Sequence, residues 1–274
     1  MPNIYYFVLA LVQGITEFVP VSSSGHLVLL QRIMNIEQPM LGFDILLHLA
    51  TALAVVIFTR REWAGMHRDA LRAIVDLRRK IPFAQVWEKY PQLRLLGYIG
   101  LAFVPAAVLG VLVHDTIERL FASLAAAGGG FLVTGVILLA TRRRQASNIE
   151  RPMRPGDALT IGLAQAVAML PGVSRSGSTI AAGIFRGLER TTAARFSFLL
   201  SVPTIAAAGV FQLKNGWQMP DCGAGVLLGA FAVAGVSGYA ALAVVFRLVA
   251  RARFHYFGYY CICLGIITLL LAAR

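Results

Sequence analysis

Two stretches of this sequence, residues 122–141 and 256–273, are each long enough to cross a bilayer and are almost free of charged side chains. A membrane-spanning helix needs roughly 20 consecutive apolar residues. The whole chain has the same bias, with 58% hydrophobic and 14% charged residues among 274. A soluble domain is roughly half apolar and a quarter charged. The sequence therefore predicts an all-α polytopic membrane protein.

Six stretches are long and apolar enough to be transmembrane helices. They are residues 41–59, 95–113, 122–141, 196–213, 223–246 and 255–273.

Two further apolar regions, residues 3–34 and 157–185, are interrupted in the middle by polar side chains. In the first region the opening apolar run, 4–15, would make a helix of about 18 Å, whereas the hydrocarbon core is about 30 Å thick. Irregular backbone at membrane depth is tolerated only where protein or a wet cavity covers it. We therefore predict that each region is a re-entrant helix–loop–helix segment, which enters and leaves the membrane on the same side.

The basic residues indicate the orientation of the chain. Of the 25 Lys and Arg, 20 lie in the four loops 60–94, 142–156, 186–195 and 247–253. Basic loops of membrane proteins face the cytoplasm, and all four reach that side if both interrupted regions are re-entrant. This clustering also accounts for the net charge of +12, so the expected surroundings are membrane lipid and no nucleic acid partner is predicted.

The second interrupted region repeats the first. A shift of 152 residues aligns identical residues in the two regions, among them Gln13 with Gln165, Val21 with Val173, Ser22 with Ser174, Ser24 with Ser176 and Gly25 with Gly177. We therefore predict one integral-membrane domain, 1–274, built from repeat 1 (about 1–141) and repeat 2 (about 157–274), joined by the basic cytoplasmic loop 142–156. Each half has one hairpin and three spans, and the odd number of crossings inverts the second half. Such inverted repeats form sites near the bilayer midplane from broken helices.

The motif "PGVSRSGST" (171–179) in the second hairpin suits an anion. Backbone N–H groups at a turn before a helix bind anions, and the planar guanidinium of Arg175 matches phosphate oxygens. An arginine at this depth needs a negative partner, either a phosphate or, in the resting state, Glu17. The predicted phosphate-binding residues here are Gly172, Ser174, Ser176, Gly177 and Thr179.

The first hairpin supplies other chemistry. Gln13 and Glu17 are spaced i,i+4 and share one helix face, and their oxygens suit Mg²⁺ or Ca²⁺. The motif "VPVSSSGH" (19–26) follows. Ser23 could attack phosphorus with His26 as base or acid, or His26 could be the nucleophile. Ser22 and Ser24 are predicted phosphate-binding residues, although any one of these serines could instead cap a helix.

These motifs resemble those of the bacitracin-resistance type undecaprenyl pyrophosphate phosphatases. "QGITEFVPVSSSGH" resembles the first signature motif of the family, and "LPGVSRSGST" resembles the second. Two further stretches, "VHDTI" and "RFSFLLSVPTI", also resemble sequences of this family. The resemblance covers essentially the whole chain.

The resemblance implies a hydrolase that removes one phosphate from undecaprenyl pyrophosphate, so that the lipid carrier of cell-wall synthesis is recycled. It implies dependence on Mg²⁺ or Ca²⁺, with Gln13 and Glu17 as metal ligands. It also implies action at the outer face of the inner membrane, with Glu17, Ser23, His26 and Arg175 as catalytic residues.

The rival hypothesis is a transporter or flippase of an anionic or phospho-lipid substrate, because inverted repeats and broken helices are typical of transporters. Serine, histidine and carboxylate together favour hydrolysis, since transport needs no nucleophile. Small residues at 128–130 and 223–225 allow close helix packing, either within the chain or in a homodimer.

Overall fold

The computed structural model of the protein describes residues 2–36, 40–144, 151–214, 219–251 and 253–273. Within these ranges it has helices and no strand, so the all-α prediction is confirmed. The helices are α1 Asn3–Phe18, α2 Ser23–Ile33, α3 Leu41–Phe58, α4 Arg60–Arg78, α5 Phe83–Lys89, α6 Pro91–Leu112, α7 His114–Phe121, α8 Leu124–Ala140, α9 Pro155–Val167, α10 Arg175–Phe185, α11 Arg190–Lys214, α12 Ala224–Ala250 and α13 Tyr256–Ala272, with a short 3₁₀ helix at Thr141–Arg144.

The long apolar helices match the stretches expected from the sequence. Among the described residues, α3, α6, α11 and α12 are long and apolar enough to cross a membrane. The helices α7 and α8 form a pair bent by 97°. If this pair is counted as one span, the described residues contain five candidate transmembrane spans. The sixth expected span is α13, which is apolar but has 17 residues.

The outer surface of these helices is apolar. Leu112 of α6 and Val236 of α12, for example, are 74% and 73% exposed. Phe198, Leu199 and Leu200 of α11 are fully buried and belong to the core. Apolar surface on this scale is unfavourable in water, whereas it matches a surrounding of lipid chains.

The stretch 60–94, which the sequence indicated only as a basic loop, folds into α4, α5 and the start of α6. Asp76 of α4 joins these elements, because it accepts hydrogen bonds from Lys89 Nζ at 2.7 Å and Tyr90 Oη at 2.8 Å. Hydrogen bonding to Lys89 and Tyr90 lowers the pKa of Asp76 below its usual value. The stretch is therefore helical, and α4 and α5 pack against α6.

Both polar-interrupted regions fold as a helix, a break and an 11-residue helix, α1–α2 and α9–α10. In each pair the two helices pack against each other. Helix α1 also packs against α12, and α9 packs against α6. Further contacts join α8 to α13 and α3 to α11.

An ion-pair cluster fixes the start of the second hairpin. Asp157 of α9 accepts hydrogen bonds from Arg151 at 2.7 and 2.9 Å and from Arg186 at 2.8 Å. The carboxylate of Asp157 is buried, and the two guanidinium groups compensate its charge. Part of the predicted connecting loop 142–156, residues 145–150, lies outside the described residues.

Candidate active site

The tips of the two hairpins touch each other through glycine backbone. A Cβ atom on Gly25 would lie 2.9 Å from Gly172 Cα and 2.6 Å from the ring of Phe131. Gly172 also has a φ of 82°, which side chains with a Cβ adopt only with strain. The close approach of the tips therefore requires glycine at both positions.

A serine caps the helix after each tip. Ser22 Oγ accepts a hydrogen bond from Gly25 N at 3.3 Å, and Ser174 Oγ accepts one from Gly177 N at 3.0 Å. The hydroxyls of Ser24 and Ser176 lie 3.2 and 3.3 Å from those of the two capping serines. Ser22 and Ser174, both predicted phosphate-binding residues, thus serve as helix caps here, a role that the sequence had left open for the serines of the first hairpin.

Glu17 of α1 is the centre of the polar cluster and is only 6% exposed. Its Oε1 accepts a hydrogen bond from Arg175 Nη2. Its Oε2 accepts hydrogen bonds from Ser23 Oγ at 2.7 Å and Gln13 Nε2 at 2.9 Å. The structure therefore brings together Gln13, Glu17, Ser23 and Arg175, four residues predicted from the two motifs.

Ser23 and Arg175 hold the same position in their hairpins. Each is the first residue of an 11-residue helix, α2 or α10, and each donates to Glu17. The N-terminus of a helix carries a partial positive charge. Two such termini together with a guanidinium form an environment that favours a negative ligand.

His26 is predicted as a catalytic base, acid or nucleophile, and its ring is held by two other groups. Nδ1 lies 2.7 Å from the carbonyl oxygen of Ser22, so it carries the proton of that hydrogen bond. Nε2 lies 2.7 Å from the hydroxyl of Tyr260, and the two rings are parallel. Ser23 donates to Glu17, which makes Glu17 the base nearest to that hydroxyl.

His48 of α3, which lies outside both hairpin motifs, is a further residue of the cluster. Its Nε2 lies 3.4 Å from Glu17 Oε2, and its Nδ1 donates to the carbonyl oxygen of Asp44 at 2.7 Å. Gln31 Nε2 donates to both carboxylate oxygens of Asp44, at 3.0 and 3.1 Å. Gln31 thereby joins α2 to the turn of α3 that positions His48.

Two other contacts could not be expected from any local motif. Thr134 of α8 donates to the carbonyl of Gly172 at 3.0 Å and accepts from Ser174 N at 2.8 Å. Thr179 Oγ1 lies 2.6 Å from Ser197 Oγ of α11. Like Tyr260, Thr134 and Ser197 lie in apolar stretches where a lone hydroxyl gives no functional signal.

The oxygens of Gln13 and Glu17 could serve as ligands for a divalent cation. Gln13 Oε1 is buried and has no hydrogen-bond partner, so a carboxamide oxygen beside the carboxylate is free to bind a cation. No group of three or more His, Cys, Asp or Glu in the described ranges could hold a metal. The donor set suits a cation such as Mg²⁺, which uses one or two protein oxygens and completes its shell with waters and substrate phosphates.

Comparison with known proteins agrees with the motifs. Residues 6–267 match the family described as bacitracin resistance protein BacA. The chain belongs to this family. A BacA family relative from Desulfosudis oleivorans, named undecaprenyl-diphosphatase, is 43% identical over 279 residues, which cover 100% of both chains.

Two other relatives of this BacA family protein carry the same name. The protein from Desulforapulum autotrophicum is 41% identical over 268 residues, 96% of each chain. The protein from Methanosphaera stadtmanae is 36% identical over 267 residues, 97% of this chain and 96% of its own.

Proposed function

We propose that this BacA family protein hydrolyses undecaprenyl pyrophosphate to undecaprenyl phosphate and inorganic phosphate. The reaction recycles the lipid carrier for peptidoglycan and other cell-wall polymers and confers bacitracin resistance. The relatives' names support this activity. The observation that carries it is the hydrogen bond from Ser23 Oγ to Glu17, whose other oxygen binds Arg175.

The proposed topology has six transmembrane helices and two re-entrant hairpins in an inverted repeat. The contact of α1 with α12 has a counterpart in the contact of α9 with α6, as expected if the two halves are equivalent. We infer a multi-pass protein of the inner membrane with cytoplasmic basic loops and an active site open to the outer side. A homodimer remains a further prediction.

Substrate binding begins in this proposal with an exchange of partners at Arg175. The guanidinium pairs with Glu17 in the resting site, and its Nη1 is buried without a hydrogen-bond partner. A pyrophosphate offers more acceptor oxygens than one carboxylate, and a guanidinium matches them in pairs. The N-termini of α2 and α10 add further positive potential where charge builds up during phosphoryl transfer.

Ser23 then attacks the terminal phosphorus. Its proton passes to Glu17 Oε2, which lies 2.7 Å from Ser23 Oγ. The Oγ–P bond forms as the anhydride P–O bond breaks, and undecaprenyl phosphate leaves with the bond electrons. Water next attacks the phosphorus of the phosphoserine and gives a proton to a base at the site. The Oγ–P bond breaks, Glu17 returns its proton to Ser23 Oγ, and phosphate leaves. The alternative is direct attack by His26.

Gln13 Oε1 and Glu17 would hold the divalent cation, Mg²⁺ or Ca²⁺, together with phosphate oxygens of the substrate. Bound there, the ion would neutralise negative charge on the transferring phosphoryl group. Glu17 is the only carboxylate of this pair, and Gln13 contributes a neutral oxygen. Glu17 is therefore the residue on which cation binding depends most.

The decisive experiment measures phosphate release from undecaprenyl pyrophosphate by the purified protein in detergent. We expect turnover with Mg²⁺ or Ca²⁺ and loss of turnover with EDTA that either cation restores. Glu17→Gln and Arg175→Gln should each lower kcat about 10²- to 10³-fold, because each removes a charge that acts on the reacting phosphate. The control is Arg72→Gln, which changes an exposed arginine of α4.

The rival transport function predicts a different outcome. A flippase would move labelled undecaprenyl phosphate between vesicle leaflets and release no phosphate under any metal condition. Unchanged turnover in Arg175→Gln would separately contradict the site assignment, even if the protein proved to be a phosphatase.

A further inference from the structure

A cavity with a volume of about 680 Å³ lies between the N-terminal parts of α6 and α11. A neighbouring cavity of about 570 Å³ shares Arg195 with it and reaches Phe58, the last residue of α3. His48, which contacts Glu17, lies ten residues before Phe58, or about 15 Å along the helix. The smaller cavity therefore lies about 15 Å along α3 from His48, and the larger one adjoins it through Arg195.

The lining of the larger cavity combines arginines with apolar walls. The polar part includes Arg94, Arg151 and Arg195, and the apolar part includes Tyr98, Phe196 and Leu199. Phe196 and Leu199 also belong to the buried core. The cavity thus joins a basic rim to an apolar interior, in the size range of about 300–1,000 Å³ that is usual for ligand pockets.

The charges of the rim are only partly compensated. Arg151 forms an ion pair with Asp157. The Nη1 atom of Arg195 lies 3.4 Å from Oε1 of Glu62, and the Arg195 side chain is 56% exposed. Glu189, the acidic residue of the lining, accepts hydrogen bonds from Thr191 and Thr192. Arg94 forms no ion pair with any residue in the described part of the chain. Three arginines and one glutamate line the cavity, so the lining itself carries two more positive than negative charges, while Asp157 and Glu62 partly compensate Arg151 and Arg195 from outside it.

We propose that this cavity binds an anionic membrane lipid, with its phosphate headgroup at Arg94 and Arg195 and the start of its hydrocarbon chain against Tyr98 and Phe196. Guanidinium groups match phosphate oxygens in charge and geometry. Basic pockets between membrane helices bind anionic lipid headgroups. A free phosphate would leave the apolar walls unused, so the lining favours a lipid over an inorganic ion. This site does not depend on the proposed hydrolysis.

Native mass spectrometry of the purified protein tests the proposal. Dioleoyl phosphatidylglycerol should remain bound to the wild-type protein, and dioleoyl phosphatidylcholine should be lost under the same activation. Arg94→Gln should reduce the retained phosphatidylglycerol about tenfold, because a charge-assisted contact is removed. Arg72→Gln, on exposed α4 outside the cavity, should retain it as the wild type does. Thermal unfolding of each variant checks that it is folded.

Three results would overturn the assignment. Equal retention of the two lipids would show that the arginine rim does not select for anionic headgroups. Equal retention of phosphatidylglycerol by folded Arg94→Gln and wild type would place the lipid elsewhere. Displacement of the lipid by millimolar inorganic phosphate would show that the cavity recognises the bare anion. If Arg94→Gln is unstable, Arg94→Lys must keep most of the retention, because the positive charge remains.

Discussion

Arg175 in α10 donates a hydrogen bond to Oε1 of Glu17, a residue of α1 that lies 158 positions earlier in the chain. Ser23 donates to Oε2 of the same carboxylate. One buried side chain therefore joins the tips of both hairpins. An unpaired buried charge is strongly unfavourable, so Glu17 and Arg175 each stabilise the other until a phosphate replaces the carboxylate.

Ser23→Ala should lower kcat for phosphate release about 10³-fold or more, because it removes the hydroxyl that forms the new bond to phosphorus. Acid quenching of the wild-type reaction, followed by peptide mass spectrometry, should detect phosphate on Ser23. Ser24→Ala, which removes a predicted phosphate-binding hydroxyl that is not the nucleophile, should have the smaller effect and stay within about tenfold of wild type. If folded Ser23→Ala kept most of its activity, the role of nucleophile would pass to His26 or to water.

His48→Gln should lower kcat/KM about ten- to a hundredfold, because the imidazole lies 3.4 Å from Glu17 Oε2 and can exchange a proton there. Because the imidazole is an acid–base group beside the carboxylate that accepts the Ser23 proton, the variant should also change the shape of the pH–rate profile. His67→Gln changes an exposed histidine of α4 and is the matched control. An unaltered pH profile in His48→Gln would argue for a purely structural role.

Tyr260→Phe should lower kcat about three- to tenfold and leave KM nearly unchanged. The substitution keeps the ring parallel to His26 but removes the hydroxyl 2.7 Å from Nε2, and one neutral hydrogen bond contributes roughly 0.5–1.5 kcal/mol. Tyr259→Phe, at the exposed neighbouring position, should have no effect. Equal rates for the two variants would mean that Tyr260 does not orient His26.

Gly130→Ala should destabilise the protein by about 1–3 kcal/mol, because overpacking a filled interior forces the backbone to move. The added Cβ would lie 2.1 Å from the carbonyl oxygen of Pro171 in the second hairpin. Gly129→Ala is a matched control, since its Cβ would meet nothing within 4 Å. Thermal unfolding in detergent compares the two, and a Gly130→Ala protein as stable as Gly129→Ala would contradict the close packing.

The sequence predicted the helical class and most of the helix positions, because apolar length and the absence of charge are local properties. It also predicted two interrupted regions with matching polar motifs. The stretch 60–94 was identified only by its charge, since the hydrogen bonds of Asp76 with Lys89 and Tyr90 depend on how α4, α5 and α6 meet.

The sequence by itself determined which residue types meet in the candidate site, since Gln13, Glu17, Ser23 and Arg175 all come from the two motifs. The sequence had also offered Glu17 as the resting partner of Arg175, whereas only the tertiary structure decided the other partners. In the folded protein Ser23 forms a hydrogen bond with Glu17, and His26 forms one with Tyr260, which lies 234 positions later in the chain. The tertiary structure also added His48 from α3. The reason is physical: a motif fixes residues within a few helical turns, whereas these hydrogen bonds depend on how separate helices pack.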